Sequence, residues 1–219
     1  LGLPYTGSDV LGSAIGMDKY RTKLIWRALG IATPEFRLIK DPQDLSSAAA
    51  ELGFPLVLKA ALEGSSIGVV PVMHPERLQA AWDEVSGCDS HVIAEQWVQG
   101  TEYTAAIIAE QTLPLIRLEP AAEFYDYQAK YHSNQTQYHL PCGLSAEQEL
   151  QLQGLSLRAF EAVGATGWGR VDLILDAAQQ PWLIEVNTVP GMTDHSLVPM
   201  AAAAVGIEFE QLVWQILQQ

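Results

Sequence analysis

Two alternating segments near the end of the chain constrain its fold more than any other feature. Residues 168–176 and 182–187 alternate polar and apolar side chains, and an Ala-Ala-Gln-Gln turn joins them. Such alternation is typical of half-buried β-strands, and the short connection predicts an antiparallel hairpin. If the turn closes symmetrically, Asp172 lies opposite Glu185, and Arg170 lies opposite Asn187. All four polar side chains then share one face of the hairpin.

The opposite face of this predicted hairpin is apolar. The same register pairs apolar residues with one another, namely Val171 with Val186, Leu173 with Ile184, and Leu175 with Trp182. A shift by one residue would turn this apolar set towards the polar face. The pattern therefore predicts the register of the two strands as well as their existence.

The polar face carries oxygen ligands of the kind that hard cations prefer. Asp172, Glu185 and Asn187 supply carboxylate and amide oxygens without an imidazole or a thiolate among them. This set suits Mg²⁺ and disfavours zinc. Arg170 beside the set is placed to stabilise negative charge on a transferred phosphoryl group or an oxyanion. For an arbitrary hairpin a solvated face with one ion pair is the commoner case, so the metal hypothesis depends on neighbouring motifs.

A glycine- and serine-rich loop in the first half is the second candidate element. The apolar segment from Leu56 ends at Lys59, and Glu-Gly-Ser-Ser-Ile-Gly follows at 63–68 before another apolar segment at 69–73. Glycines let backbone amides approach an anion, and hydroxyl groups add donors. The loop matches neither the P-loop nor the dinucleotide-binding fingerprint, and on its own it is more often a flexible turn.

Composition and charge exclude several classes of protein. The 219 residues include 48% hydrophobic and 17% charged residues, and the formal net charge is −14. The longest apolar stretch, 197–207, contains proline and glycine and is too short to span a bilayer. The negative charge argues against a nucleic-acid or anionic-membrane surface. Two cysteines without metal-ligand spacing, and no secretory leader, favour a cytoplasmic location.

The remaining pattern predicts a mixed α and β chain that divides near Val98 into two lobes. Asp18 is expected to cap a helix with Lys19 in its first turn, and Ser145 with Gln148 predicts a capping box. The further helices are expected at 42–52 and 75–85, with two at the end of the chain, and the further strands at 36–39, 91–98, 103–109 and 113–118. A polar excursion covers 121–142, and loops of that length are usually functional.

Five ordered motifs resemble the D-alanine:D-alanine ligase family of ATP-grasp enzymes. They are Met-Asp-Lys at 17–19, Leu-Lys with Glu-Gly-Ser-Ser at 58–66, Phe-Tyr-Asp-Tyr-Gln-Ala-Lys-Tyr at 124–131, Gly-Trp-Gly-Arg-Val-Asp at 167–172, and the segment 185–199 beginning Glu-Val-Asn-Thr-Val-Pro-Gly. The similarity covers essentially the whole chain. It implies an α/β ATP-grasp fold in which two mixed lobes, 1–98 and 99–219, enclose a nucleotide cleft.

The resemblance implies a set of nucleotide-binding residues. Phosphate contacts are implied for Lys19, Lys59 and Lys130, with Ser65 and Ser66 closing over the phosphates. The adenine cleft is implied to include Glu95, Trp97 and Val98, and the ribose contact is implied for Glu102.

Roles in metal binding and catalysis follow from the same resemblance. Asp172, Glu185 and Asn187 would hold two Mg²⁺ ions, for which Mn²⁺ would substitute. The implied catalytic groups are Arg170, Ser65, Tyr131 and the Gly191 amide. Ser196, the Leu197 amide and Lys130 would bind the second D-alanine.

The implied reaction is ATP-dependent ligation of two D-alanines through an acylphosphate, for peptidoglycan precursor synthesis. Tyr131 is typical of family members that use D-alanine rather than a hydroxy acid. A ligase with another acceptor and a non-catalytic nucleotide-binding fragment remain alternatives. Val189, Asp194 and Leu62 depart from the family pattern.

The family also carries an N-terminal domain that this chain is expected to lack. The opening, Leu-Gly-Leu-Pro-Tyr-Thr-Gly, reads as a loop between elements. We therefore expect the 219 residues to bind Mg-ATP but to make little dipeptide. A homodimer is plausible from the resemblance alone.

Overall fold

The computed structural model describes residues 3–64, 67–119, 136–193 and 195–219, whose strands form two antiparallel sheets. The first sheet contains β1 (Phe36–Ile39), β2 (Leu56–Ala60), β3 (Val69–Val72) and β4 (Val92–Gln96), in the spatial order β1-β4-β2-β3. The second contains β5 (Gly100–Ile108), β6 (Gln111–Thr112), β7 (Ile116–Glu119), β8 (Gln137–His139), β9 (Trp168–Asp176) and β10 (Pro181–Asn187). Its order is β10-β9-β5-β7-β8, and β6 pairs with β5.

Helices cover both sheets. The α-helices in the described ranges are α1 (Val10–Met17), α2 (Lys19–Ala28), α3 (Leu45–Leu52), α4 (Leu78–Ser86), α5 (Ala146–Ala162), α6 (Leu197–Ala203) and α7 (Phe209–Leu217). Short 3₁₀ turns, Pro42–Asp44 and Pro75–Arg77, precede α3 and α4. Among these helices, none combines the length and the apolar character that a membrane crossing requires. The predicted mixed α/β class is confirmed.

The first sheet packs against α3 and α4. Leu45 of α3 and Val85 of α4 meet Leu56 and Leu58 of β2 in one buried cluster. All five residues of β2 are buried, which explains why its sequence is apolar up to Lys59. The predicted helices at 42–52 and 75–85 are confirmed, each beginning at its proline as a 3₁₀ turn.

The second sheet is covered on both faces. Trp26 of α2 and Phe160 of α5 belong to the cluster that includes Val171 of β9. On the other face, Val198 of α6 and Leu212 of α7 form a cluster with alternate residues of β5. The Trp26 indole donates a hydrogen bond to the Ala159 carbonyl at 2.8 Å, which joins α2 to α5. Thus α2 precedes the first sheet in sequence but packs on the second. The division into 1–98 and 99–219 stays a prediction.

The predicted caps of α2 and α5 are confirmed. The Asp18 carboxylate accepts from the Arg21 amide at 2.9 Å, which places Lys19 in the first turn of α2. Ser145 and Gln148 form the reciprocal capping box of α5. Both caps are local, so sequence spacing was sufficient to find them.

Helix α1 was not predicted from the sequence. Asp9 caps it by accepting from the Gly12 amide at 2.8 Å. A Cβ at Gly12 would lie 2.3 Å from the Gly164 carbonyl oxygen, and one at Gly16 would lie 2.9 Å from a methyl carbon of Thr188. The two glycines disfavour a helix by propensity, but they allow α1 to approach closely the residues that follow α5 and β10.

The 168–187 hairpin is confirmed, and its register is only partly as predicted. Glu185 pairs with Asp172 and Asn187 with Arg170, as expected. The pairs predicted nearer the turn, Leu173 with Ile184 and Leu175 with Trp182, are wrong. Those two leucines of β9 pair instead with other residues of β10, Leu173 with Leu183 and Leu175 with Pro181.

Two irregularities explain this partial shift. The turn is not symmetric: the Asp176 amide donates to the Gln180 carbonyl, leaving a three-residue loop whose last residue, Gln179, has φ +62°. This loop shifts the pairing by one residue. A β-bulge at Ile184 then shifts it back before Glu185. The bulge lets Leu183 enter the core without turning the polar residues away from β9.

The strand predicted at 113–118 is replaced by β6 and β7, with 113–115 between them. Pro114 lies in that connection and has no amide hydrogen to donate to a strand partner. The predicted excursion at 121–142 falls largely outside the described residues, and its final part forms β8, which pairs with β7.

Candidate functional site

The polar face of β9 and β10 brings the predicted metal-ligating residues together. The Asn187 side-chain nitrogen lies 3.1 Å from Asp172 Oδ2 and 3.5 Å from Glu185 Oε1. Asp172 and Glu185 have side chains that are 23% and 28% exposed, so solvent reaches both carboxylates. The predicted convergence of these three side chains on one face is therefore present.

Arg170 forms a two-pronged ion pair with Asp172. Its Nε donates to Oδ1 at 2.8 Å and its Nη2 donates to Oδ2 at 2.7 Å. Burial alone would lower the pKa of Arg170, but the adjacent Asp172 outweighs it, so the pKa is raised. The guanidinium is thus fixed in its charged form at the edge of the carboxylate cluster.

Thr104 is a further hydrogen-bond partner of Asp172, and no sequence motif predicted this contact. Thr104 lies directly opposite Asp172 on the neighbouring strand β5, and its hydroxyl donates to Asp172 Oδ1 at 2.5 Å. The side chain is buried, so this contact is shielded from solvent. The pairing of β5 with β9 joins residues 68 positions apart, and no local pattern indicates it.

Lys19 connects the first turn of α2 to the carboxylate cluster. Its ammonium group lies 3.7 Å from Glu185 Oε2 and donates to the backbone carbonyl of Glu63, just before the Gly/Ser loop. Burial lowers the pKa of Lys19, although Glu185 acts in the opposite direction. The predicted phosphate-binding lysine therefore lies between the loop and the metal-ligating face.

Lys59 lies deeper, in a buried cluster of charges. Its ammonium nitrogen is 2.8 Å from Glu95 Oε2, and the same oxygen is 2.8 Å from the ammonium of Lys23. Burial opposes ionisation of Glu95, but the two lysines outweigh it and lower the pKa of the carboxyl. Lys23 was not singled out in the sequence, since a lysine inside an amphipathic helix usually faces solvent.

The residues predicted to line the adenine and ribose region surround the end of β4 and the start of β5. Trp97 and Val98 are half-buried in the connection between the two sheets, and the Trp97 amide donates to the Pro55 carbonyl at 3.2 Å. Glu102 precedes Thr104 by two positions on β5 and so lies on the same face as the carboxylate cluster.

The residues predicted to bind the second substrate lie at the start of α6. Ser196 is the residue before the helix, and its Oγ accepts from the Thr193 amide at 3.0 Å and lies 2.9 Å from the Thr193 hydroxyl. A Cβ at Gly191 would lie 2.9 Å from Ser196 Oγ, so a larger residue here would displace the Ser196 hydroxyl. Leu197 begins the helix, next to Ser196. Gly191 and Ser196 are brought together.

Several predicted residues lie outside the described ranges. They are Ser65, Ser66, Lys130, Tyr131 and Asp194. The roles implied for them therefore stay predictions.

The described residues fit a hard divalent cation by the chemistry of their donors. They contain no group of three or more His, Cys, Asp or Glu side chains suited to hold a metal. The candidate set is instead two carboxylates and one amide, and a half-turn of the Asn187 carboxamide would present its oxygen. Such a partial set suits Mg²⁺, which usually completes its shell with water and substrate phosphates.

Comparisons with known proteins give the same class. A family model described as "D-ala D-ala ligase C-terminus" matches residues 25–218. A D-alanine–D-alanine ligase of Nitrosococcus oceani is 56% identical over 217 residues, covering 99% of this chain and 69% of the relative.

Two solved structures of the Bacillus anthracis D-alanine–D-alanine ligase are also similar. The first has a TM-score of 0.89 at 38% identity, covering 99% of this chain and 71% of that one. The second, a complex with ATP, has a TM-score of 0.87 at 34% identity, covering 99% and 70%.

The fold, with its two antiparallel sheets and flanking helices, is that of the ATP-grasp enzymes. Within that class, the chain belongs to the D-alanine–D-alanine ligase family, and it is an enzyme of the ligase type.

Proposed function

We propose that this chain provides the nucleotide- and metal-binding part of an ATP-dependent reaction that joins two D-alanines. The proposal rests on one observation above all. Asp172, Glu185 and Asn187 converge on one face, and the ammonium group of Lys19 lies 3.7 Å from Glu185. Oxygen ligands beside a buried lysine suit the terminal phosphates of a nucleotide together with divalent ions. The ATP complex of a structural relative supports ATP as that nucleotide.

The nucleotide would lie between the two sheets. Lys19 and Lys59 supply positive charge for the phosphates, with Ser65, Ser66 and Lys130 proposed to close over them. Glu95 and the half-buried Trp97 and Val98 are proposed to line the adenine cleft, and Glu102 is proposed to accept hydrogen bonds from ribose hydroxyls.

Asp172, Glu185 and Asn187 would hold two Mg²⁺ ions. Bound there, the ions would supply charge neutralisation for the phosphates and fix their geometry. Before the metal shell can form, Asp172 must exchange part of its contact with Arg170. The same exchange frees guanidinium donors for the transferred phosphoryl group.

The proposed chemistry has two steps. A carboxylate oxygen of the first D-alanine attacks the γ-phosphorus of ATP, and the bond to the departing ADP breaks, giving an acylphosphate. The amine of the second D-alanine then attacks the acyl carbon, and phosphate leaves. Arg170 and the Gly191 amide are proposed to stabilise the oxyanion of the tetrahedral species, and Ser65 and Tyr131 are proposed as further catalytic groups. Ser196, the Leu197 amide and Lys130 are proposed to hold the carboxylate of the second D-alanine.

Calorimetric titration with Mg-ATP tests whether Asp172, Glu185 and Asn187 form a metal site. Asp172→Asn keeps the side-chain shape but removes the charge that a metal needs, so metal-dependent binding should be lost. Asp176→Asn is the matched control, because Asp176 lies on the same strand and its carboxylate accepts from the turn and from Trp182. Unchanged Mg-ATP binding in Asp172→Asn would contradict the proposed metal site.

The choice of acceptor needs a separate test. Tyr131 favours D-alanine over a hydroxy acid, and a ligase with another acceptor is the alternative. Measured in a full-length protein that includes these 219 residues, phosphate release with D-alanine, D-serine and D-lactate as acceptors distinguishes these cases. Product formation with D-lactate alone would overturn the assignment to D-alanine.

The activity of the 219 residues by themselves is a further prediction. The chain spans about 69% of the length of a curated relative, and we expect it to bind Mg-ATP with little D-alanyl-D-alanine formation. Phosphate release near that of a full-length family member would contradict this expectation, whereas binding without release would match a nucleotide-binding fragment. A homodimer, a cytoplasmic location and a role in peptidoglycan precursor synthesis belong to the same proposal.

A further inference from the structure

Lys23 is a fully buried lysine with three acceptors around its ammonium group. The nitrogen lies 2.8 Å from Glu95 Oε2, 2.6 Å from the Thr33 hydroxyl oxygen and 3.4 Å from the Leu183 carbonyl oxygen. The Thr33 hydroxyl in turn donates to the same Leu183 carbonyl at 2.8 Å. An ammonium group has three protons, so these contacts use its full donor capacity.

The charge of Lys23 is not explained by stability. Replacement of a buried ion pair by apolar side chains of similar volume is often neutral or stabilising. Lys23 lies on α2 beside Trp26, which is already anchored in the core of the second sheet. The packing of α2 therefore does not by itself require a charge at position 23, although removing Lys23 alone leaves Glu95 with Lys59 as its remaining cation.

The charge has a clear effect on Lys59. Glu95 faces two ammonium groups at equal distances of 2.8 Å, so the three side chains together carry one net positive charge. Without Lys23, the Glu95 carboxylate would neutralise Lys59 completely. With Lys23 present, Lys59 keeps attraction for a phosphate even though the chain as a whole has a net charge of −14.

Lys23 also reaches the strand that carries the metal-ligating residues. Leu183, whose carbonyl it contacts, directly precedes the bulge at Ile184. That bulge sets the register in which Glu185 and Asn187 face β9. One ammonium group therefore contacts β4 of the first sheet and β10 of the second.

We infer that Lys23 is a positioning residue of the nucleotide and metal site. It acts through Glu95 on Lys59 and through the Leu183 carbonyl on β10. The inference rests on the proposed function, because it assumes that Lys59 and the carboxylate cluster bind one Mg-ATP.

The test compares Lys23→Met with Trp26→Phe in the same 219-residue chain. Lys23→Met keeps the length and removes the charge. Trp26→Phe, one turn further along α2, removes the hydrogen bond to Ala159 and some core volume without touching the charges. Dissociation constants for Mg-ATP are measured by calorimetry, and stability by urea unfolding.

Lys23→Met is expected to weaken Mg-ATP binding by about 10- to 100-fold, as loss of an outer positioning partner usually does. Trp26→Phe should lower the unfolding midpoint and change binding by less than about threefold, since it leaves the charges of Lys23, Glu95 and Lys59 in place. A double-mutant cycle with Glu95→Gln adds a readout that stability alone would not move. The effect of Lys23→Met on affinity should shrink in the Glu95→Gln background, because the shared charge is already gone.

Thr33→Val keeps the test decisive if Lys23→Met does not fold. It removes the hydroxyl between Lys23 and the Leu183 carbonyl but leaves every charge in place, and it should weaken Mg-ATP binding by about threefold or more. If that variant is the only one folded and it binds like wild type, the inference is wrong.

The two hypotheses fail in different ways. If wild type binds Mg-ATP and Lys23→Met binds it equally well, the inference about Lys23 is overturned while the proposed function stands. If wild type does not bind Mg-ATP, the proposed function is overturned, and the inference with it.

Discussion

Thr104 offers the sharpest single test of how the site is built. Thr104→Val keeps the branched shape of a buried side chain and removes only the hydroxyl that donates to Asp172 at 2.5 Å. A hydrogen bond to a charged group is worth about 1.5–3 kcal/mol. Asp172 retains its two bonds from Arg170, so we expect a stability loss near the lower end of that range.

The effect on ligand binding should exceed the effect on stability. Without the hydroxyl, the carboxylate of Asp172 is fixed only from the Arg170 and Asn187 side, and its orientation towards a cation is less well defined. Loss of such an orienting partner typically costs about 10- to 100-fold in affinity. Calorimetric titration with Mg-ATP and urea unfolding measure the two quantities separately.

Thr112→Val is the matched control for this experiment. Its hydroxyl also donates a single bond, to the Gln153 carbonyl at 3.1 Å, on β6 rather than beside the carboxylates. The control should lose about 1 kcal/mol of stability, as is typical for a neutral hydrogen bond, and keep its affinity for Mg-ATP. Equal affinities for the two variants would refute the idea that Thr104 orients Asp172.

Three further outcomes are expected from the packing and the charges of the chain. Gly12→Ala should destabilise the chain by about 1–3 kcal/mol in urea unfolding, because its Cβ would overlap a backbone oxygen at 2.3 Å. Gly154→Ala is the control: its Cβ would point into open space on α5, so it should stabilise the chain by about 0.5–1 kcal/mol. Burial lowers the pKa of Lys23 from 10.5 to about 8, despite Glu95. Between pH 8 and 10.5 the unfolded chain binds more protons at Lys23 than the folded chain does. The free energy of unfolding should therefore rise with pH by up to about 3 kcal/mol over this range. Urea unfolding of Lys23→Met at the same pH values should lack this rise. Gly191→Ala would place a Cβ 2.9 Å from Ser196 Oγ. In a full-length protein that includes these 219 residues, it should raise the KM for D-alanine more than the KM for ATP, and the opposite order would contradict the role proposed for this loop.

Local sequence patterns were enough to predict the elements that carry the site. The Asp18 cap places Lys19, and the alternation in β9 and β10 brings Asp172, Glu185 and Asn187 to one face. Both depend on residues close in sequence, where hydrogen-bond geometry fixes the spacing.

The contacts that hold those side chains in place could not be predicted in the same way. Thr104 meets Asp172 across strands 68 residues apart, and Lys23 meets Leu183 across 160. Such contacts follow from the order of strands and the packing of α2, neither of which a local pattern determines. The glycines of α1 concealed that helix for a related reason, since they are needed for close contacts with Gly164 and Thr188, far away in sequence.

The hairpin between β9 and β10 links the length of its loop to the bulge at Ile184. The three-residue loop shifts the pairing of β10 with β9 by one residue, and the bulge shifts the pairing back before Glu185. A single-residue deletion at 177–184 should therefore be accommodated by straightening β10 around a loop that still has three residues, which leaves Glu185 and Asn187 facing Asp172 and Arg170. A slip of the pairing by one residue would instead turn both ligands towards the opposite face. Among family members with the same number of residues between the positions of Asp172 and Glu185, a longer loop should thus occur with a regular strand and a shorter loop with a bulged one.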